Sequence, residues 1–182
     1  MSLIIGVRCK DGCLVIADMR NTIKANGIIT FEDNFEKVVK HDNCLLYNHG
    51  YNRIQDDDWK LRCQDLTPDD SNPVYEGILN ETMFKLDKSA FFVFISNNML
   101  CEIAIEVENG IRRIDHLPND RIVSGSGKKY VVDLKLLENL QKRKCKKVYK
   151  SLINIFKKAY LRLSFASGNE FSKQYKIYKQ IT

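Results

Sequence analysis

The chain opens on two apolar runs joined by a three-residue turn, and this pattern constrains the fold more than any other feature. The runs are LIIGVRC and CLVIAD, and KDG lies between them. Both runs are rich in β-branched residues, and the glycine suits a tight connection, so the pattern predicts a β-hairpin. A strand therefore begins within the first few residues, directly behind Ser2.

The rest of the chain alternates between strand-like and helix-like segments. Turn chemistry at Asp33–Asn34 and Asp42–Asn43 predicts two more strand pairings between residues 27 and 50. A polar, acidic loop is predicted over 51–72, with a short helix around 59–66, and a second helix begins at 73. A strand at 90–96, a hairpin over 99–117 that turns at Asn109–Gly110, and a strand at 121–124 follow. The last predicted elements are helices over 128–140 and 145–163 and a strand through Tyr175 and Ile177.

This order of elements predicts a single domain over residues 1–182 of the α+β class. Two antiparallel sheets would pack together, with the helices outside. In the hairpin over 99–117, apolar Ile103 and Ile105 alternate with glutamates such as Glu102. Alternation of period two predicts that the glutamates lie on the opposite face of the strand from the isoleucines.

Charge is divided unevenly along the chain. The total is +6, of which residues 128–182 carry +12, so residues 1–127 carry −6. A basic stretch of this size can bind nucleic acid, but these lysines are interspersed with helix signals and lack interleaved stacking aromatics. A solvated helix face is the favoured interpretation. No apolar run approaches the ~20 residues of a membrane span, and no signal peptide precedes the first strand, so we expect a cytoplasmic protein.

The six cysteines predict buried, reduced thiols rather than a metal site. Five of them lie in or beside apolar stretches, and no CxxC pair exists. None of the three histidines has metal-ligand spacing with a cysteine. Cys9 and Cys13 flank the first turn and could meet across the hairpin. The sequence therefore predicts no metal and no cofactor.

Ser2 becomes chemically interesting if Met1 is removed. Its hydroxyl would then lie next to its own α-amine, whose reference pKa is about 7.7–8.0, so one residue could supply both nucleophile and base. Asp18 ends the second strand and would return beside the first. That carboxylate could hold Lys37, whose ammonium would lower the pKa of the α-amine by like-charge repulsion. Taken singly, Asp18 is more often a turn residue and Lys37 a surface charge.

These residues together resemble the proteasome β-type subunits, which are N-terminal-nucleophile hydrolases and are similar to the bacterial heat-shock-locus peptidase. The resemblance rests on short motifs that occur in the same order along nearly the whole chain. They are Ser2 at the start of the first strand, the D-x-R-x-T motif of Asp18, Arg20 and Thr22, Lys37 in "KVV", Gly50 in "YNHG", Ser126 in "GSG" and Ser167 in "ASGN".

The resemblance implies a four-layer α-β-β-α sandwich and a peptidase that acts on peptide or unfolded protein within a homo-oligomeric ring. Ser2 would be the nucleophile, Asp18 and Lys37 would tune its amine, and the Gly50 N–H would bind the oxyanion. Ser126 and Ser167 would support the site. The implied substrate contacts are the Thr22 backbone and a polar pocket lined by Asn21, Asn48 and Asp56. Neither a cofactor nor a nucleic-acid or membrane partner is implied.

Two features depart from the resemblance and leave alternatives open. The nucleophile is serine where the family usually has threonine. Ser164 stands where the family has an aspartate three residues before the late serine. A non-catalytic ring or interaction subunit is therefore the first alternative, and a protein ligase of the same fold is the second.

Overall fold

The computed structural model describes residues 3–25, 27–41, 43–50, 63–84, 89–132, 139–167 and 174–181. Within these ranges the chain forms eleven strands and two α-helices. In chain order they are β1 (Ile4–Cys9), β2 (Gly12–Asp18), β3 (Asn21–Ala25), β4 (Ile28–Glu32), β5 (Val38–His41), β6 (Cys44–Gly50), α1 (Pro73–Phe84), β7 (Ala90–Ile95), β8 (Leu100–Glu106), β9 (Gly110–Asp115), β10 (Arg121–Ser124), α2 (Cys145–Ser167) and β11 (Tyr175–Ile181).

The strands form two antiparallel sheets and one separate hairpin. One sheet has the order β10-β1-β2-β11, the other has the order β5-β6-β7-β8-β9, and among the described strands β3 pairs with β4 alone. The predicted opening hairpin is confirmed, with Cys9 opposite Gly12 across the turn. The α+β class is likewise confirmed.

Three apolar clusters hold these elements together. The first lies between the sheets, where Ile4 and Val15 meet Tyr47 and Val93. The second lies on the other side of the four-stranded sheet, against α2. The third lies on the far side of the five-stranded sheet, where α1 contributes Tyr75 and Ile78. Because β1 and β2 lie between two of these clusters, every residue of both strands is buried.

The helix predicted over 145–163 is confirmed as α2 and continues to Ser167. Its apolar face is buried at the predicted positions, and the lysines between them are exposed. The next residue in the sequence is Gly168, a type that commonly follows a helix end. Ser167 is therefore the last residue of a helix, whereas the resemblance implied a loop there.

Two expectations are wrong in part. Residues 128–130 form only a 3-10 turn, because the chain leaves helical geometry at Val131 (φ −86°, ψ 88°), where two β-branched valines follow; residues 133–138 of the predicted helix lie outside the described residues. Cys9 and Cys13 lie on opposite faces of their sheet, because Cys13 is opposite Arg8 rather than Cys9. Glu102 alternates with Ile103 and Ile105 along β8 as predicted, and it is buried because both faces of β8 are covered.

The other expectations about thiols, metals and membranes concern the same described ranges. All six cysteines are buried, as predicted, and none forms a disulfide within the described residues. No cluster of three or more His, Cys, Asp or Glu suited to a metal ion occurs in those ranges. None of the described helices is long and apolar enough to cross a membrane. Most of the loop predicted over 51–72, including Asp56, lies outside the described residues.

Candidate active site

A buried ion pair lies at one end of the two sheets. Asp18 is the last residue of β2, and Lys37 directly precedes β5 in the other sheet. The Lys37 Nζ donates to Asp18 Oδ2 at 2.8 Å, and the two side chains are only 4% and 0% exposed. The predicted partnership between these residues is thus present, and it joins the two sheets.

Burial and pairing act in opposite directions on the Lys37 ammonium. Desolvation lowers the pKa of Lys37 from its ordinary value of 10.5, while the charge of Asp18 and its hydrogen bond raise it. Desolvation is the larger influence, so the net pKa is lowered. A lysine in this position places positive charge in a low-dielectric environment, where its field on neighbouring groups is strong.

Asp18 also holds the beginning of the described chain. Its Oδ1 accepts the Leu3 N–H at 2.7 Å, and its own N–H donates to the Leu3 carbonyl oxygen at 3.1 Å. Its Oδ2 accepts the Arg20 N–H at 3.2 Å as well as the Lys37 ammonium. Leu3 N is bonded to the carbonyl carbon of Ser2, which itself lies outside the described residues. One carboxylate therefore links the residue after Ser2 to Lys37.

Gly50 ends β6 in a conformation that requires glycine. Its φ is +84°, and a Cβ on this residue would lie 2.3 Å from the Ser89 carbonyl oxygen. Tyr47 pairs with Val38, the first residue of β5. The last three residues of β6 therefore run past the start of β5, toward the end of the sheet where Lys37 lies.

A buried hydroxyl pair joins the sheets at the same end. Tyr47 Oη and Ser124 Oγ are 3.1 Å apart, and burial raises the pKa of the Tyr47 phenol. Ser124 ends β10 opposite Ile4 and leads into the turn at Gly125–Gly127. Gly125 has φ +84°, and the Lys128 N–H closes the turn on the Gly125 carbonyl at 3.1 Å. Ser126 is exposed at the tip of this turn.

The predicted substrate-contact residues divide between the hairpin and β6. Asn21 begins β3, and its Nδ2 donates to Glu32 Oε2 at 3.4 Å. Thr22 is opposite Phe31 in the same hairpin. The Asn48 side chain is buried, and its Nδ2 donates to the Phe91 carbonyl at 3.3 Å while its Oδ1 has no partner among the described residues.

A second buried acid–base contact was missed by sequence reasoning. His49 Nε2 lies 3.0 Å from Glu102 Oε2, and the imidazole stacks on Phe91 with ring centroids 4.7 Å apart. The alternation along β8 predicted which face Glu102 occupies but not that this face is buried. The signal that could have revealed it is a glutamate within an otherwise apolar run, which needs a polar partner when both faces of the strand are covered.

The comparisons with known proteins bear on the fold alone. No protein-family model matches the chain, and no curated protein matches it in sequence. Among solved structures, Anbu (ancestral beta-subunit) from Yersinia bercovieri has a TM-score of 0.61 at 10% identity, over 98% of this chain and 82% of that one. The Anbu (Gly-1) mutant from Hyphomicrobium sp. strain MC1 has a TM-score of 0.58 at 8% identity, over 100% of this chain and 82% of that one. BPH from Thiobacillus denitrificans, in complex with epoxomicin, has a TM-score of 0.55 at 11% identity, over 99% of both chains.

The chain therefore shares the proteasome-like fold of these structures. This agrees with the fold that the ordered motifs implied. Identities of 8–11% carry no information about individual side chains, so the roles of the residues above depend on their own geometry. Within the proteasome-like fold, Asp18, Lys37, Gly50 and the Gly125–Gly127 turn are brought to one end of the paired sheets. For Ser167 the structure gives the backbone position, as the last residue of α2.

Proposed function

We propose that the chain is an N-terminal-serine acyl-transfer enzyme, a peptidase whose nucleophile is Ser2 once Met1 has been removed. The observation that carries this proposal is the double role of Asp18. One of its oxygens accepts the backbone N–H of Leu3, and the other accepts the buried ammonium of Lys37. A fixed positive charge is thereby tied to the residue that follows Ser2.

The proposed reaction begins when the Ser2 hydroxyl attacks a peptide carbonyl. The α-amine of Ser2 takes the hydroxyl proton, and Lys37 keeps that amine unprotonated by electrostatic repulsion. The backbone N–H of Gly50 stabilises the oxyanion. As the peptide C–N bond breaks, the proton passes to the leaving amine and an ester remains on Ser2. Attack by water completes hydrolysis, whereas attack by another amine would complete ligation. The reaction needs no cofactor or metal.

The surrounding residues would support the nucleophile in this mechanism. Ile4 is opposite Ser124 in the register of β1 with β10. Ser126 follows this strand end in the turn at Gly125–Gly127, and we propose that its hydroxyl lies near the nucleophile. Ser167 would be the second supporting hydroxyl. The four-layer α-β-β-α arrangement is part of the same proposal.

The substrate would bind as an extended strand along the Thr22 backbone. Asn21, Asn48 and Asp56 would line the pocket for the residue before the scissile bond. A polar, partly acidic pocket favours basic or small polar side chains over large apolar ones. Cleavage of a peptide library after lysine, arginine or serine is the expected result, and cleavage mainly after leucine or phenylalanine would contradict this pocket.

We further propose that the subunits assemble into a homo-oligomeric ring. The basic face of α2 between Lys146 and Lys158 would meet the acidic segment at 56–58 of a neighbouring copy. Light scattering should then give a mass several times that of one chain, at both low and moderate salt. A monomer under both conditions would rule the ring out.

The test of function compares two preparations that differ only at the N-terminus. One carries a verified Ser2 terminus by intact mass, and the other retains a blocked Met1. With Met1 attached, the nitrogen of Ser2 is an amide, whose lone pair is delocalised and has no basicity near neutral pH. Only the Ser2-terminal form should hydrolyse peptides and gain the mass of an epoxyketone or β-lactone probe.

A Ser2→Ala variant with the same processed terminus is the matched control for that experiment. It should neither turn over substrate nor gain the mass of the probe. Equal activity of both wild-type preparations would show that Ser2 is not an N-terminal nucleophile. If both preparations were inactive and neither gained a probe adduct, the result would favour a non-catalytic subunit. Ser164 at the position where the family has an aspartate is the sequence feature that favours this alternative.

A further inference from the structure

The two sheets leave a cleft between their neighbouring edge strands. Strand β5 ends the five-stranded sheet and β11 ends the four-stranded sheet. A cavity of about 530 Å³ is lined by residues of both strands. Its size falls within the about 300–1,000 Å³ that is usual for ligand sites. The cleft is therefore large enough to hold a bound segment rather than a single ion.

Both strands that border the cleft have an open edge within the part of the chain that the structure describes. Alternate residues of an edge strand direct their N–H and C=O groups away from the sheet, where another strand can pair with them. Strand β11 spans Tyr175–Ile181, whereas β5 has only four residues. The longer strand offers the better template for an added peptide.

The chemistry of the cleft favours an acidic occupant with some apolar side chains. Val38 and Tyr178 belong to the apolar cluster between the sheets and also line the cavity. Lys40 and Lys179 are exposed at its rim. The charged residues among the described lining are Glu36, Lys40, Lys176 and Lys179, and Lys176 pairs with Glu36. Lys40 and Lys179 remain after this pair is counted, so the net charge of the described lining is positive.

We propose that this cleft binds an extended, acidic peptide segment of a partner protein, which adds as a strand along the open edge of β11. Its backbone would pair with β11, its apolar side chains would contact Val38 and Tyr178, and its carboxylates would contact Lys40 and Lys179. The inference goes beyond the proposed peptidase activity and does not depend on it. The residues on either side of Lys37, namely Glu36 and Val38, line the same cleft, so occupancy adjoins the candidate active site.

The binding experiment uses two fluorescein-labelled peptides of equal length, Thr-Glu-Val-Glu-Thr-Glu-Val and Thr-Lys-Val-Lys-Thr-Lys-Val. Fluorescence anisotropy is measured with the full chain at low and at physiological ionic strength. The acidic peptide should bind about tenfold or more tightly than the basic one, because opposite charges meet at the cleft. Failure of the acidic peptide to bind, or equal binding of both peptides, would overturn the proposal.

Two pairs of charge reversals locate the site. Lys40→Glu with Lys179→Glu alters the cleft, and Lys142→Glu with Lys144→Glu makes the same change in net charge at exposed positions just before α2. The first pair of substitutions should lower the affinity for the acidic peptide about tenfold or more, and the second pair should change that affinity by no more than about twofold. Equal weakening by both pairs would show only general attraction to a basic protein and would overturn the assignment. The assignment would also be overturned if a short oligothymidylate bound as tightly as the acidic peptide and lost its affinity in the Lys40→Glu, Lys179→Glu variant.

Backbone methylation tests the strand pairing itself. Methyl groups are placed on alternate nitrogens of the acidic peptide, in one register or in the other. An added strand directs only one set of N–H groups at β11, so one methylated peptide should lose binding and the other should keep it. Equal affinity of the two methylated peptides would overturn strand addition. All these measurements report binding alone and are independent of whether Ser2 is a nucleophile.

Discussion

The first two hairpins of the chain have the same local architecture but opposite environments. Both join strands with β-branched residues through a turn that contains glycine, yet every residue of β1 and β2 is buried and every residue of β4 is exposed. Each hairpin also has an ion pair with an N···O distance of 2.8 Å. Lys37–Asp18 is almost completely buried, whereas Asp33 in the Arg20–Asp33 pair is 45% exposed.

This difference shows that the local pattern makes a strand, while packing decides what the strand contributes. The first hairpin lies between α2 and the five-stranded sheet. The second hairpin pairs with no other strand in the part of the chain that the structure describes, and it leaves Ile28, Ile29 and Phe31 largely exposed. Equal bond lengths therefore do not mean equal energies, because desolvation and solvent screening differ between the two sites.

The largest effect is expected from Lys37→Ala, which leaves the buried Asp18 carboxylate without its ammonium. Removal of one member of a buried pair costs about 3–5 kcal/mol, so the free energy of unfolding in urea should fall by that amount. Peptidase activity of the folded fraction should also be lost, because the α-amine of Ser2 would no longer be tuned.

The double variant Asp18→Asn with Lys37→Met separates stability from activity. It leaves no unpaired charge in the interior, so most of the lost stability should return while activity stays absent. Near-normal turnover by folded Lys37→Ala would exclude the proposed mechanism. A loss of stability below about 1 kcal/mol would mean that the pair behaves like a surface one.

The next largest effect is the loss of stability on truncation of an apolar side chain, compared between the two hairpins. Leu14 in β2 is 0% exposed and Ile29 in β4 is 52% exposed. Leu14→Ala should lower the free energy of unfolding by about 2–5 kcal/mol through lost burial and a cavity. Ile29→Ala should change it by no more than about 0.5 kcal/mol. A large effect at Ile29 would show that β4 is covered by another chain in solution.

The sequence predicted strands well where apolar runs are long and turns are marked by glycine. The strand pairing expected across Asp33–Asn34 is wrong, because β4 pairs with the preceding β3 rather than with β5. The environment of each hairpin could not be predicted either, because it depends on residues distant in the chain. The prediction that Asp18 holds Lys37 succeeded because Asp18 ends β2 and Lys37 precedes β5, and these two strand ends meet where the sheets pack together. Glu102 and Tyr47 were missed as polar groups of the interior, since their partners His49 and Ser124 come from different strands and no local period connects them.

The helix predicted from Lys128 shows the same limit at shorter range. A helix was expected over 128–140, but Val131 and Val132 follow one 3-10 turn, and residues 133–138 lie outside the described residues. The role of Ser2 could be proposed from sequence because N-terminal-nucleophile chemistry depends on chain position. Its geometry could not be derived from the sequence, since hydrogen bonds such as that of Leu3 N to Asp18 depend on the register between strands.

A moderate effect is expected from the alkaline titration of Cys13 in the buried hairpin. Burial raises the pKa of this thiol from 9.0 to about 12. Between these values the unfolded chain has released the proton while the folded chain retains it, so stability is complete below pH 9 and falls as the pH rises. From pH 7.5 to 10 the contribution of Cys13 should fall by about 1 kcal/mol.

Urea unfolding of the wild type and Cys13→Ala at those two pH values measures this contribution. The wild type should lose about 1 kcal/mol more than the variant over that interval, because the other titrating groups are common to both chains. An identical loss in the two chains would mean that the Cys13 thiol is accessible to solvent and titrates equally in both states.

The smallest effect concerns the exposed pair of the second hairpin. Arg20 donates to both carboxylate oxygens of Asp33, at 2.8 and 2.9 Å, and its guanidinium lies 4.9 Å from the centre of the Phe31 ring. A double-mutant cycle with Arg20→Ala and Asp33→Ala removes the contributions that each side chain makes elsewhere and leaves only their coupling. Although the bidentate geometry is favourable, water screens Asp33, so the coupling should be about 0.2–1 kcal/mol and should decrease in high salt. A coupling of about 3 kcal/mol that is insensitive to salt would show that the hairpin is shielded from water, as it would be if a second subunit covered it. The same cycle would then report on assembly, and the contrast between the two hairpins would hold only for the isolated chain.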